Sequence, residues 1–240
     1  MPLLVSVRSA DEVEAALAGG ADIIDAKDPA RGSLGAVTPD VLAAVAARVP
    51  EPVPLSVALG DPAAVGEVRR AIAGTAFLQR SAPVYLKLGF AGVPAGPVQS
   101  LLEAAVDGAS HATSPRIVVA VAYADHVAAA SPPMDAVVSA ARASGAAGLL
   151  VDTWGKDGRG LLEHLSLNRL AAVAERAASA GLFLALAGSL DRSAIRRVAP
   201  IADIIGVRGA ACRGGRQGMV DAALVADLRR ALEDRRALPA

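Results

Sequence analysis

Eight short apolar runs, each followed by an alanine-rich helical stretch, recur along 240 residues with no linker and no break in composition. That alternation, its regular spacing and a near absence of aromatic residues predict an α/β fold, a single-domain (β/α)8 barrel of the TIM type spanning residues 1–240. With 53 % hydrophobic and only 2 % aromatic residues, the core is drawn from Ala, Val, Leu and Ile. These side chains suit parallel strands covered on both faces. An open doubly wound sheet is the alternative, and the lack of a dinucleotide fingerprint weighs against it.

The elements follow in order. Pro2–Val7 reads as the first strand. Ser9 with Glu12 three residues on reads as a capping box, and Gly19-Gly20 ends the helix. Ile23–Ala26 is the second strand, and Pro39 after Thr38 opens a helix to Arg48. Val53–Leu59 is the third, with a helix over Pro62–Gln79. Val84–Leu88 is the fourth, backed by Pro97–Ala112. Arg116–Tyr123 and Gly148–Asp152 are the fifth and sixth, with helices Met134–Ser144 and Ser166–Ala180. Leu182–Ala187 precedes a short helix from Asp191 to Val198, and Asp203–Val207 precedes a last helix over Val220–Arg236.

Composition excludes several roles. Charge is balanced at 24 acidic and 24 basic residues, and no basic stripe with interleaved aromatics suggests nucleic acid as a partner. The apolar start is too short for a signal peptide, and no apolar run reaches the roughly 18 residues of a membrane span, so a cytoplasmic location is expected. The lone Cys212 and the scattered His111, His126 and His164 give neither a disulfide framework nor ligand spacing, so no metal is expected. Self-association is left open.

The chemistry is signalled by lysine. Among 24 basic residues only Lys27, Lys87 and Lys156 are lysine, and the rest are arginine. An ammonium can lose its proton and attack a carbonyl, whereas a guanidinium stays charged. The three fall at or just beyond the ends of the second, fourth and sixth strands, one parity class at the catalytic end of a barrel. Asp25 lies two residues before Lys27 and shares its face, and Asp152 ends the sixth strand on an equivalent position. Crowded ammonium groups depress one another's proton affinity, leaving one amine partly neutral, and the carboxylates keep the cluster together and move protons. Salt bridges that merely brace the barrel are the competing reading.

Loops seven and eight of such a barrel often hold phosphate on backbone N–H groups and a helix N-terminus. Here they read Gly188-Ser189, ahead of Asp191, and Arg208-Gly209-Ala210, with Arg208 as a charged fork. Gly32-Ser33-Leu34-Gly35 offers a further cradle through Ser33. No Walker loop is present, so no nucleotide cofactor is implied. The residues thus describe a cofactor-independent barrel enzyme that forms an imine with a small phosphorylated carbonyl compound. A non-catalytic phosphosugar-binding regulator is the reading from a different class.

Several strings together resemble the (5-formylfuran-3-yl)methyl phosphate synthase family of methanofuran biosynthesis. They are Gly20–Pro29, Gly32–Ala36, Tyr85–Gly89, Tyr123–Asp125, Asp152-Thr153 followed by Lys156-Asp157-Gly158, Leu186–Ser189 and Gly206–Cys212. The resemblance implies a (β/α)8 barrel that condenses two molecules of glyceraldehyde 3-phosphate, a triose phosphate, into a furan aldehyde, with loss of phosphate and water. It implies Lys27 as the Schiff-base lysine, Lys87 as the proton acceptor, and Asp25, Asp152 and Lys156 as accessory groups. Asp28 stands where the family pattern suggests Asn, and Trp154-Gly155 fill their loop differently. Within enzymes, a class I aldolase or isomerase acting on another sugar phosphate is the alternative. The alanine and arginine bias suggests a high-GC bacterium, where the product would serve methanofuran-dependent one-carbon transfer.

Overall fold

The computed structural model describes residues 1–155 and 158–234. Eight parallel strands close into a barrel: β1 Leu3–Val7, β2 Ile23–Ala26, β3 Leu55–Ala58, β4 Val84–Leu88, β5 Arg116–Tyr123, β6 Gly148–Asp152, β7 Phe183–Leu186 and β8 Ile204–Val207. Closure comes from β1 pairing with β8, in the register Leu3↔Ile205 to Val5↔Val207. Around it lie α1 Val13–Ala18, α2 Pro39–Arg48, α3 Val65–Ala73, α4 Val98–Ser110, α5 Met134–Ser144, α6 Leu161–His164, α7 Leu167–Ser179, α8 Arg192–Val198 and α9 Ala222–Glu233.

The strands carry two apolar layers, as their pleat dictates. Leu3, Val5, Val7, Leu55, Leu86, Leu88 and Leu149 face outward into a continuous shell against the helices. Ile23, Ala58, Val119, Val121, Leu150, Ala185 and Ile204 face inward and form a separate interior cluster. The shell holds the fold together, which leaves the interior open to polar substitution.

Helix ends follow their chemistry. Thr38 accepts from the Val41 N–H with Pro39 in the first turn, and Ser166 does the same for Arg169. Gly145 at φ 76° closes α5 in the left-handed conformation that glycine tolerates. The first helix departs from the capping-box expectation. A 3-10 turn over Ala10–Glu12 precedes α1, and Ser9 makes no side-chain cap. Glu12 instead accepts from the Arg8 N–H and turns inward to Arg208. The third helix is shorter than expected, because Ala64 rather than Pro62 caps it and Gly74 ends it. Two features went unforeseen: the single-turn α6, and a ribbon of β9 Cys212–Arg213 with β10 Met219–Val220.

The chain closes through α1 and α9. A Cβ on Gly19 would stand 2.4 Å from Val225 Cβ and 2.6 Å from the Ala222 carbonyl oxygen. Gly19→Ala is therefore expected to pry the first helix from the last and destabilise the protein by about 1–3 kcal/mol. Urea unfolding followed by circular dichroism checks this.

Candidate active site at the C-terminal rim of the barrel

β2 presents Ile23 and Asp25 to the interior with Lys27 directly after it, β4 presents Tyr85 and Lys87, and β6 presents Leu150 and Asp152. The strand alternation thus delivers two of the three lysines and both carboxylates to one cavity of about 320 Å³ at the C-terminal ends of the strands. All four side chains are buried. The neighbouring strands supply small residues, with Ser6 and Ser56 in register with Asp25 and Ala58 in register with Lys87. Without that economy of volume, long amines would not fit inside a closed barrel.

The centre of the cluster is an ion pair. Lys87 Nζ lies 2.6 Å from Asp25 Oδ1, and the Ser6 hydroxyl donates to Asp25 Oδ2 at 2.7 Å. Burial alone pushes the Asp25 carboxyl up, but the charges of Lys87 and Lys27 and the hydrogen bonds from Lys87 and Ser6 outweigh it. Its proton affinity is held below the usual carboxylate range. Asp25 is therefore a fixed anion at neutral pH. Lys27 follows directly after β2, its N–H donating to the Val7 carbonyl, and it lines the same cavity.

Asp152 closes the other side. Its Oδ1 accepts from the Thr153 N–H at 2.7 Å. Its Oδ2 receives the Ser33 hydroxyl at 3.3 Å, and the same hydroxyl donates to the Thr153 carbonyl at 2.7 Å. Ser33 was expected to cradle an anion. The structure instead turns its hydroxyl into the protein, where it ties the loop after β2 to the end of β6. Asp125 fastens the next stretch, accepting from the Trp154 and Gly155 N–H groups at 2.7 Å each. Lys156 lies outside the described residues.

The expected anion-binding loops face the same cavity through Gly188, Ser189, Gly209 and Ala210. Gly188 sits at φ 99°, and a Cβ there would press on Thr153 at 3.0 Å, so glycine is needed for both conformation and space. Ser189 also adopts a positive φ of 51°, a strained conformation for a residue with a Cβ. The following helix offers less than expected, because the Asp191 carboxylate already accepts the Ala194 N–H of its first turn.

Arg208 lines the cavity, but its hydrogens are committed elsewhere. Nη1 donates to Glu12 Oε2 at 2.5 Å and to the Ser6 carbonyl, and Nη2 donates to Glu12 Oε1 at 3.0 Å and to the Gly218 carbonyl. Nε takes the Arg216 carbonyl at 3.1 Å. With all five N–H donors engaged, Arg208 is a strut rather than the free fork anticipated for phosphate. Glu12 is fully buried beneath it.

Other cavity residues were not singled out in the sequence. Arg216, on the turn between β9 and β10, borders the mouth, and Ser56 lines the cavity with a buried hydroxyl that has no hydrogen-bond partner among the described residues. A polar residue at an inward position of an otherwise apolar strand was the available signal for Ser6 and Ser56. Nothing local marked Arg216 among so many arginines. Beside the rim, Asp61 accepts from the Tyr123 hydroxyl at 2.7 Å and from the Ala91 N–H at 2.8 Å. Burial raises the Asp61 carboxyl above its ordinary value despite those bonds, and burial together with Asp61 raises the Tyr123 phenol.

Fold and site together define a (β/α)8-barrel enzyme whose buried lysine–aspartate centre opens at the C-terminal rim. A family model described as 4-HFC-P synthase matches residues 3–229, and the chain belongs to that family. It is 39 % identical over 236 residues to the (5-formylfuran-3-yl)methyl phosphate synthase of Methanocaldococcus jannaschii, covering 95 % of this chain and 98 % of the relative. It is 39 % identical over 222 residues to that of Methanothermobacter thermautotrophicus, covering 90 % and 91 %. Among solved structures, a phosphoribosylanthranilate isomerase of Thermotoga maritima superposes with a TM-score of 0.61 at 11 % identity, covering 98 % of this chain and 99 % of that one. KGPDC of Streptococcus mutans gives 0.60 at 11 %, covering 97 % and 98 %. These two likenesses concern the barrel alone. Among the described residues no helix is long and apolar enough to cross a membrane.

Removing the Glu12 charge strands a buried guanidinium. Glu12→Gln is expected to cost about 3–5 kcal/mol of stability, and replacing Arg208 by Met in the same chain is expected to recover part of it. A double-mutant cycle in urea measures both.

Proposed function

We propose that this chain condenses two molecules of glyceraldehyde 3-phosphate into (5-formylfuran-3-yl)methyl phosphate through an imine on Lys27. The observation that carries the reading is the Lys87–Asp25 pair set beside Lys27 in one buried cavity. Family membership supports the overall reaction, since the relatives bear the name of that product.

The chemistry follows from the division of charge. Asp25, held as an anion, pairs with Lys87, and Lys27, the Schiff-base lysine that the family resemblance implies, acts as the nucleophile. Lys27 Nζ adds to the aldehyde carbon to give a carbinolamine. Lys87 then donates its proton to the departing hydroxyl, which leaves as water, and the iminium forms. The now neutral Lys87 amine takes the proton from the carbon next to the iminium, giving an enamine, and Asp25 stabilises the ammonium restored there. The enamine expels the phosphate from its C3, and the enol carbon so formed adds to the C2 carbonyl of the second triose phosphate, first isomerised to its ketone by proton transfer between C2 and C1.

Closure of the C1 hydroxyl of the second triose onto the C2 carbonyl of the first, followed by dehydration, completes the furan, and hydrolysis of the Lys27 imine releases the aldehyde. Asp152, anchored on the Thr153 N–H, is placed to exchange protons during the dehydrations. The phosphate of the bound triose lies against the backbone N–H groups of Gly188, Ser189, Gly209 and Ala210, where glycine allows close approach.

Borohydride added with glyceraldehyde 3-phosphate is expected to fix a mass on the peptide carrying Lys27. Lys27→Arg is expected to abolish both the adduct and the furan absorbance while the protein stays folded. A full yield of furan without an adduct at Lys27 sinks the imine. A product without furan absorbance would mark a simple aldolase instead. Lys87→Met is expected to lower kcat by about 10²–10⁴-fold, the range for loss of general acid–base catalysis, with stopped-flow absorbance as the readout.

A further inference from the structure

A phosphate monoester near neutrality carries close to two negative charges, and backbone N–H groups by themselves offset them poorly once water is excluded. The cavity therefore needs a cation whose hydrogens are free to turn toward the ligand. Lys87 is bound to Asp25, and Arg208 spends every N–H on Glu12, Ser6, Arg216 and Gly218.

Arg216 is placed differently. Its Nη1 donates to the Pro29 carbonyl at 3.0 Å and its Nη2 to the Gly32 carbonyl at 2.7 Å. Two of the five guanidinium hydrogens are thus used, both on neutral oxygens. Among the described residues no carboxylate lies within ion-pair distance of it. Its backbone packs on Gly209, whose built Cβ would stand 3.7 Å from the Arg216 nitrogen, and it borders the cavity together with Ser189 and Ala210. The Arg208 strut grips the Arg216 and Gly218 carbonyls, so the turn between β9 and β10 is held from below by the Glu12–Arg208 pair. The two carbonyl bonds hold it from the side.

We propose that Arg216 is the substrate-binding cation of this pocket, pairing with the phosphate of the triose while Arg208 and Glu12 fix its position. The assignment deepens the reaction proposed above and rests on the same cavity. Half-burial suits the role, because a partly desolvated guanidinium gains more from a dianion than one in bulk water. Burial lowers the proton affinity of Arg216 from the ordinary guanidinium value, and the charge of Asp152 opposes that shift.

The test compares Arg216→Gln, which keeps a donor for the neighbouring carbonyls but removes the charge, with Arg216→Lys. Arg216→Gln is expected to lower kcat/KM for glyceraldehyde 3-phosphate by about 10- to 100-fold, mostly through KM, as for loss of a charge-assisted hydrogen bond. Arg216→Lys is expected to recover part of that loss. Borohydride trapping of unphosphorylated glyceraldehyde should proceed at the wild-type rate in both variants. Inorganic phosphate, titrated by calorimetry, should bind Arg216→Gln about tenfold more weakly, and this readout holds whether or not an imine forms. An unchanged kcat/KM together with unchanged phosphate affinity overturns the assignment. So does an equal loss of trapping with the phosphorylated and unphosphorylated aldehydes, which would make Arg216 a mere support of the rim.

Discussion

The interaction on which the site depends is the ion pair between Lys87 and Asp25 inside the barrel. A buried pair of this kind gains little over well-packed apolar residues, because desolvation consumes most of the attraction. Its presence therefore constrains everything around it. Ser6 must donate to the second carboxylate oxygen, and serine and alanine on adjoining strands must leave room for the two lysines. The stability that the interior forgoes is supplied by the outer shell, where leucines and valines of the strands meet the helices. Chemistry and stability thus occupy opposite faces of the same eight strands.

The rim depends on ties between distant loops. Ser33 joins the loop after β2 to Asp152 and Thr153, Asp125 holds the two amides that follow, and the Glu12–Arg208 pair carries the turn that bears Arg216. Each tie uses a charged or polar group with its donors and acceptors satisfied, which is the condition for rigidity in a medium of low polarity. Gly188 and Ser189 complete the wall in conformations that few residues accept. A site made of strand ends is positioned by the barrel. A site made of loops needs such ties.

Much of this was legible in the sequence. The bounds of β2, β4, β5 and β6 stand as the apolar runs marked them, and so do α2 and α5. The scarcity of lysine and the parity of the strands pointed to Lys27, Lys87, Asp25 and Asp152, which share one cavity. The misreadings have a common cause. Glu12 looked like half of a capping box, Ser33 like part of an anion cradle and Arg208 like a phosphate fork, because each type of side chain favours that use locally. Their partners lie far along the chain: Glu12 meets Arg208 across 196 residues and Ser33 meets Thr153 across 120.

The sequence by itself determined the architecture and which lysines and aspartates the strand ends carry. Period, composition and the choice of lysine over arginine are local properties, and the pleat of a strand fixes which side chains point the same way. Only the tertiary structure decided which charges are spent and which remain. A carboxylate, a hydroxyl or a guanidinium is available for chemistry only when its hydrogen bonds are not already taken, and in a closed barrel those partners arrive from strands and loops that meet only on folding.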